Sequence, residues 1–394
     1  LHSFATRPSD SLQQCLVPTH IWKSNKTKQC NLQTMNTNLF IEDNIGRKRT
    51  LQGVRFLFIL LIYISHCTSP NITTQFDFGG ELGVSFFFIL SGFVLSWGYG
   101  PRISRGEFST RQFFERRFWR IYPLHLLLYT IVLSLDWRIG HFYDWTQKIT
   151  TLLLVQSWIP SNHTLYVINP VSWFLCDIIF FYVIFKHLYS YIIKIYSRKL
   201  TKLLIVFITI YLIVAWQVPK DIINCTLYTN PLLRTFDFAL GIFAYKVYKT
   251  QKLYTLKHNK RKLMPLTICF ISGLTIYGIY QLLNGNGIRC AALFWPFIPL
   301  FIIYLASIDG TPNLLARLFS SSPMLWLGNI SFEIFMIHLV AMRLTQHVIK
   351  TDGSLTSDYV YFFTAFCVTI VMAWGLHRCF VKPITNAIIG KRYR

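Results

Sequence analysis

Charged and protonatable side chains stand inside stretches otherwise built from aliphatic and aromatic residues. Leu51–His66 reads LQGVRFLFILLIYISH, with Arg55 near its start and His66 at its end. On a helix, eleven positions amount to about 1100° of turn and roughly 16 Å of rise, so guanidinium and imidazole project from one face. An imidazole, ordinarily titrating at ~6.5, is suited to take a proton from a hydroxyl near neutral pH. Both groups are costly in lipid, which favours a polar interior. Two readings stand: a stripe that binds and reacts, or Arg55 snorkelling to the inner surface with His66 capping the outer end.

Further candidates lie in other apolar runs. Asp77 precedes and Glu81 opens the run ELGVSFFFILSGFVLSWGYG, both at the expected level of His66, placed to orient its ring or simply to sit in a loop and a helix first turn. Asp177, four residues after Trp173, falls about two turns into NPVSWFLCDIIFFYVIF, where it either reacts or bonds another helix. Arg234 and Asp237, three apart, are spaced to neutralise each other. In LWLGNISFEIFMIHLVAMRL, Ser331 and His338 share a face and Glu333 stands about 140° from His338. That trio suits a proton relay or a hydroxyl site, or plain packing. PRISRGEFSTRQFFERRFWRIYPLHLL holds Arg102, Arg105, Arg111, Arg116, Arg117 and Arg120 and no lysine. Guanidinium forks match phosphate geometry, which points to phosphate recognition; the competing reading is contact with anionic lipid.

The elements that must position these groups are membrane helices. Of 394 residues, 53% are hydrophobic, 17% aromatic and only 14% charged, far fewer charges than a soluble domain carries. Ten apolar runs, near 50–66, 81–98, 118–135, 171–193, 203–217, 232–248, 263–283, 291–307, 324–346 and 357–380, predict an all-α, polytopic integral membrane bundle of about ten transmembrane helices. A net charge of +23 would suit nucleic acid, but its placement argues against that partner. With the N-terminus inside, the outer segments hold only Arg138, Lys148, Lys220, Arg289 and Lys350. That asymmetry predicts both termini in the cytoplasm. Gly83, Ser85, Ser91 and Gly92 permit close helix contact, and Pro123 is expected to kink or start the third span. The long outer segment 136–170, rich in aromatics, is either a docking loop for an acceptor or an interfacial belt. Nine cysteines show neither CxxC nor zinc spacing, so no metal is expected; Cys67, Cys225 and Cys290 lie near outer ends.

Together these stretches resemble the acyltransferase type 3 family of integral membrane acyltransferases. Arg55 and His66 match its Arg, ten residues, His signature, and Gly83 to Phe93 its GVxxFFxLSGF pattern. Arg116, Arg117, Arg120, Ile121 and Pro123 fit RRxxRIxP; Ser172, Trp173, Asp177, Phe181 and Tyr182 fit SWxLxxE/D-x-x-F-Y. Arg234, Phe238 and Gly241 fit RxxxFxxG, and Ser331, Phe335 and His338 fit SYxxYxxH. Departures are Ser85 where members often have Asp, Asp177 where Glu is more frequent, Phe332 and Phe335 in place of tyrosines, and no C-terminal hydrolase-like domain.

The resemblance implies transfer of an acyl group, often acetyl, from acyl-CoA as co-substrate, with no bound cofactor, to a hydroxyl of a glycan or glycolipid. It implies His66 as base with Arg55 and Asp177 beside it; Arg116, Arg117 and Arg120 as donor ligands; and Asp77, Glu81, Trp173, Ser331, Glu333 and His338 in support. A bacterial inner membrane is the expected location. The alternatives are a carrier or flippase of lipid-linked glycans, in which the arginines hold a head group, and a structural partner in an envelope assembly. The expected organisation is a polar, disordered tail over 1–46, a membrane acyltransferase domain over 47–383 and a basic cytoplasmic tail over 384–394.

Overall fold

The computed structural model describes residues 48–67, 79–219, 222, 224–250, 273, 294–350 and 352–392. The described residues are helical, with no strand among them. In chain order the helices are α1 (Arg49–Ser65), α2 (Gly79–Ser104), α3 (Thr110–Arg138), α4 (Trp145–Leu152), α5 (Trp173–Lys194), α6 (Ser197–Gln217), α7 (Pro231–Lys249), α8 (Phe297–Ile308), α9 (Leu314–Phe319), α10 (Ser322–Asn329), α11 (Ser331–Val348) and α12 (Leu355–Leu376). A π-helical turn, His377–Val381, then leads into α13 (Lys382–Arg392). Four helical stretches are long and apolar enough to cross a membrane: Gly80–Ser104, Thr110–Arg138, Pro170–Lys194 and Leu355–Ile388. The pair α10 and α11, bent by 66°, makes a fifth if read as one broken span. The expected run 263–283, apart from Gly273, and the start of 291–307 lie outside the described residues, as do 1–46 and Asp77.

Arg111–Arg120 are not a connecting loop. They form the first turns of α3, which starts at Thr110 after Ser109 accepts a hydrogen bond from the Gln112 N–H. Pro123 therefore does not start the span; it lies inside a 29-residue helix. It forfeits one backbone bond, a loss that a long membrane helix with helical neighbours absorbs.

Close packing comes from glycine. A Cβ on Gly92 would lie 2.1 Å from the Phe238 carbonyl oxygen, and one on Gly241 would lie 1.9 Å from that of Ile89, so α2 and α7 touch backbone to backbone. On α1, a Cβ at Gly53 would lie 1.8 Å from the Phe319 carbonyl oxygen. Lipid tails are as apolar as leucine, so such dispersion contacts, rather than water release, hold membrane helices together.

Chain direction follows from contacts at the helix ends. Lys48, before α1, lies over the rings of Trp97 near the end of α2 and Tyr248 near the end of α7. Thr50, in the first turn of α1, donates its N–H to Asp309 just past α8, at 2.9 Å. That remote carboxylate satisfies an N–H that the helix leaves unpaired and complements the positive end of its dipole. At the opposite end, Gly80 packs on Ser65.

The outer segment folds back onto the bundle. Asp144 and Gln147 form a capping box on α4. The Leu152 and Lys148 carbonyls accept from Tyr122 and Tyr129 of α3, both at 3.2 Å. Gln156 donates to Ser172, and Asn169 to the Met336 carbonyl of α11. Ile168, buried beside Asn169, has φ +59°, a backbone region hostile to β-branched residues. Trp137, Phe142, Trp145 and Trp158 face outward, as an interfacial belt requires.

Arg234 on α7 is a buried charge, 1% exposed. It donates to Asp237 at 3.0 Å, Ser85 of α2 at 3.2 Å and the Tyr228 carbonyl at 2.6 Å. The Trp295 indole N–H donates to the other Asp237 oxygen at 2.8 Å. Cys67 and Cys225 are buried.

The packing and the buried ion pair set three stability outcomes. Gly241→Leu forces a side chain into the α2 backbone and should cost about 3 kcal/mol or more, seen as a lower thermal midpoint in detergent. Gly98→Leu, whose Cβ meets nothing within 4 Å, should leave the midpoint nearly unchanged. Asp237→Ala strands a buried guanidinium and should cost about 3–5 kcal/mol by the same measurement.

Candidate active site

α1 carries its two candidate groups into different surroundings. At its end, His66 donates from Nδ1 to the Ile62 carbonyl at 2.8 Å. His338, on α11, donates from Nδ1 to the Phe335 carbonyl at 2.7 Å. The two rings stand 5.1 Å apart, edge to face, and Tyr63 lies 6.3 Å from His338. Bonding Nδ1–H to a carbonyl fixes the tautomer in which Nε2 is the basic nitrogen. Nε2 of His338 is buried and has no hydrogen-bond partner among the described residues. His66 is half-buried, so this end of α1 presents an imidazole to the interior of the bundle, backed by a second one.

At its start, Arg55 is half-buried over the Phe87 ring, 6.0 Å from its centroid. Its electrostatic neighbours are Arg120, Tyr182, Glu333 and Arg117. Arg117 lies over Tyr99 and Phe113 and donates to the Tyr99 hydroxyl at 3.4 Å. Arg116 is half-buried on the same turn of α3, and Arg120 is exposed. Like charges brought together in a partly buried place repel. Gathering Arg55, Arg117 and Arg120 therefore favours an anion between them. Glu333 supplies the nearby carboxylate, but its hydrogen bond goes elsewhere: His377 donates to it from Nδ1 at 2.7 Å.

Asp177 is fully buried, and its electrostatic neighbours are Arg234 and Asp237. Neither of its oxygens hydrogen-bonds Arg234, so it stands beside the buried network on α7 without joining its bonds. Trp173, one turn earlier, is buried 5.2 Å from the Tyr228 ring. Glu81 is buried in the first turn of α2, next to the residue that packs on Ser65. Ser331 is buried and donates to the Gly328 carbonyl at 2.9 Å, holding the bend between α10 and α11. Asp77 lies outside the described residues.

Tyr63 and His377 escaped the sequence reading. Both carried a usable signal, since a polar group inside an apolar run asks for a partner. Glu333 and His338 diverge around α11 as their spacing requires, one toward His377 and the other toward His66.

The chain is 33% identical over 170 residues to "Acyltransferase MdmB" of Streptomyces mycarofaciens, covering 40% of this chain and 43% of that protein. It is 34% identical over 77 residues to "Protein 2 in picA locus" of Rhizobium radiobacter, covering 20% and 39%. The matches thus span about two fifths of each relative's length. No solved structure matches. A family model described as an acyltransferase domain matches residues 49–378, which includes Arg55, His66, the α3 arginines, His338 and His377. The chain belongs to the acyltransferase type 3 family.

Proposed function

We propose that this chain is a membrane-bound O-acyltransferase that moves an acyl group, acetyl in the simplest case, from acyl-CoA to a hydroxyl of an envelope or exported polysaccharide or glycolipid. The observation that carries the reading is α1 itself. One end brings a guanidinium to two more on α3, and the other end holds an imidazole backed by a second. A phosphorylated thioester donor needs an anion site and a base at a distance, and one helix supplies both.

In this reading Arg55, Arg116, Arg117 and Arg120 hold the phosphates of CoA through charge-assisted contacts. The pantetheine arm runs along α1 toward His66, roughly 16 Å of helix rise away. Nε2 of His66 takes the proton of the acceptor hydroxyl as its oxygen attacks the thioester carbonyl carbon. The C–S bond breaks, the ester forms, and the departing CoA thiolate recovers the proton from the imidazolium. His338 orients the base. Asp177 and Arg234 keep the scaffold around the site fixed, with Glu81 and Trp173 packing beside it. About ten transmembrane helices with both termini in the cytoplasm would put the arginines where acyl-CoA is made, and a bacterial inner membrane suits that arrangement.

Purified protein given acetyl-CoA and a membrane glycolipid extract should release free CoA, and His66→Ala should lower that rate about 10²–10⁴-fold while the protein stays folded and membrane-inserted. Undiminished release by the variant removes His66 as the base. No release from folded wild type with acetyl-, succinyl- or longer acyl-CoA overturns the function. Arg117→Ala combined with Arg120→Ala should raise the donor KM by about tenfold or more with a smaller effect on kcat.

A further inference from the structure

The expected donor site is built from α1 and α3, yet a third element borders it. The π-helical turn His377–Val381, at the end of α12, packs against α3, the helix that bears the arginines. π turns insert an extra residue into a helix, re-aim side chains and often mark functional sites. Here the first re-aimed residue is a histidine.

Among the described residues, Glu333 holds the His377 ring from one side. Its Nδ1 donates to Oε1 of Glu333 at 2.7 Å, and Glu333 is 3% exposed. The His377 side chain is 33% exposed, so the ring reaches from a buried carboxylate outward. The two ring nitrogens lie on opposite edges; with Nδ1 committed to Glu333, Nε2 faces away from it. Glu333 is also an electrostatic neighbour of Arg55, whose other neighbours include Arg117 and Arg120. A bare carboxylate there would repel an incoming phosphate. An imidazole placed over it screens that charge, and once protonated it offers Nε2–H as a charge-assisted donor.

We propose that His377, set by Glu333, is a further ligand for a phosphate of the acyl donor, completing the anion site of Arg55, Arg117 and Arg120. This rests on the donor being acyl-CoA. The turn binds and positions the donor, and takes no part in moving the acyl group.

The test uses coenzyme A as the probe and full-length protein purified in detergent, with thermal midpoints as the folding control. Asn at 377 retains a donor for Glu333 near the Nδ1 position but loses the outward N–H; Gln retains a donor near the Nε2 position. His377→Asn should weaken CoA binding by about tenfold while kcat at saturating donor stays within about twofold, and His377→Gln should bind within about threefold of wild type. A purely structural role for the Glu333 bond predicts the reverse order. That reverse order, equal loss in both variants, or an Asn variant that binds as wild type overturns the proposal. Wild type that neither binds CoA nor releases it from acetyl-CoA overturns the donor reading itself, whereas binding by wild type with an unaffected Asn variant sinks the His377 assignment alone.

Discussion

Charge in a low-dielectric interior must be matched, and Arg234 is where this chain meets that constraint. Its guanidinium is buried against α2, with Asp237 as counter-ion, Ser85 and the Tyr228 carbonyl as further acceptors, and Trp295 bonded to Asp237 in turn. Desolvating the pair costs several kcal/mol per ion, so it endures only where geometry returns that cost. The reciprocal contact of Gly92 and Gly241 fixes the separation of the same two helices. With that separation fixed, α2 has a firm face for α1, and α1 in turn holds Arg55 and His66 in register.

The candidate site divides by charge. One part gathers guanidiniums, with a carboxylate beneath them; the other gathers imidazoles and a tyrosine. Reaction chemistry asks for this division, because an anion site drawn too near the base would hold the imidazole in its protonated form. The eleven-residue spacing on α1 keeps the two apart while one rigid element links them.

Much of this was legible in the sequence because the informative spacings are local. Arg55 with His66, Arg234 with Asp237, and the divergence of Glu333 from His338 all follow from helix periodicity alone. Glycine positions announced close packing. The rest depends on contacts between distant segments. Trp295 reaches Asp237 across 58 positions, and His377 reaches Glu333 across 44. Periodicity carries no information about such pairs. Nor does it carry the contacts by which Gln156 and Asn169 turn inward to bond other segments. The count of ten spans rests on hydropathy, whereas length and apolarity together qualify four of the described stretches, or five with the bent pair.

The glycine contacts also say where this sequence is free to drift. No side chain fits at Gly53, Gly92, Gly241 or Gly328, each of which would place a Cβ about 2 Å from another helix's backbone. Val360, Phe363 and Val371 on α12, one of the helices long and apolar enough to cross a membrane, look outward and touch little protein. Any residue as greasy serves there, since lipid imposes solubility and no shape. Across related chains the outward face of α12 should therefore exchange one apolar residue for another almost at random, while the four glycines remain immobile letters in a changing text.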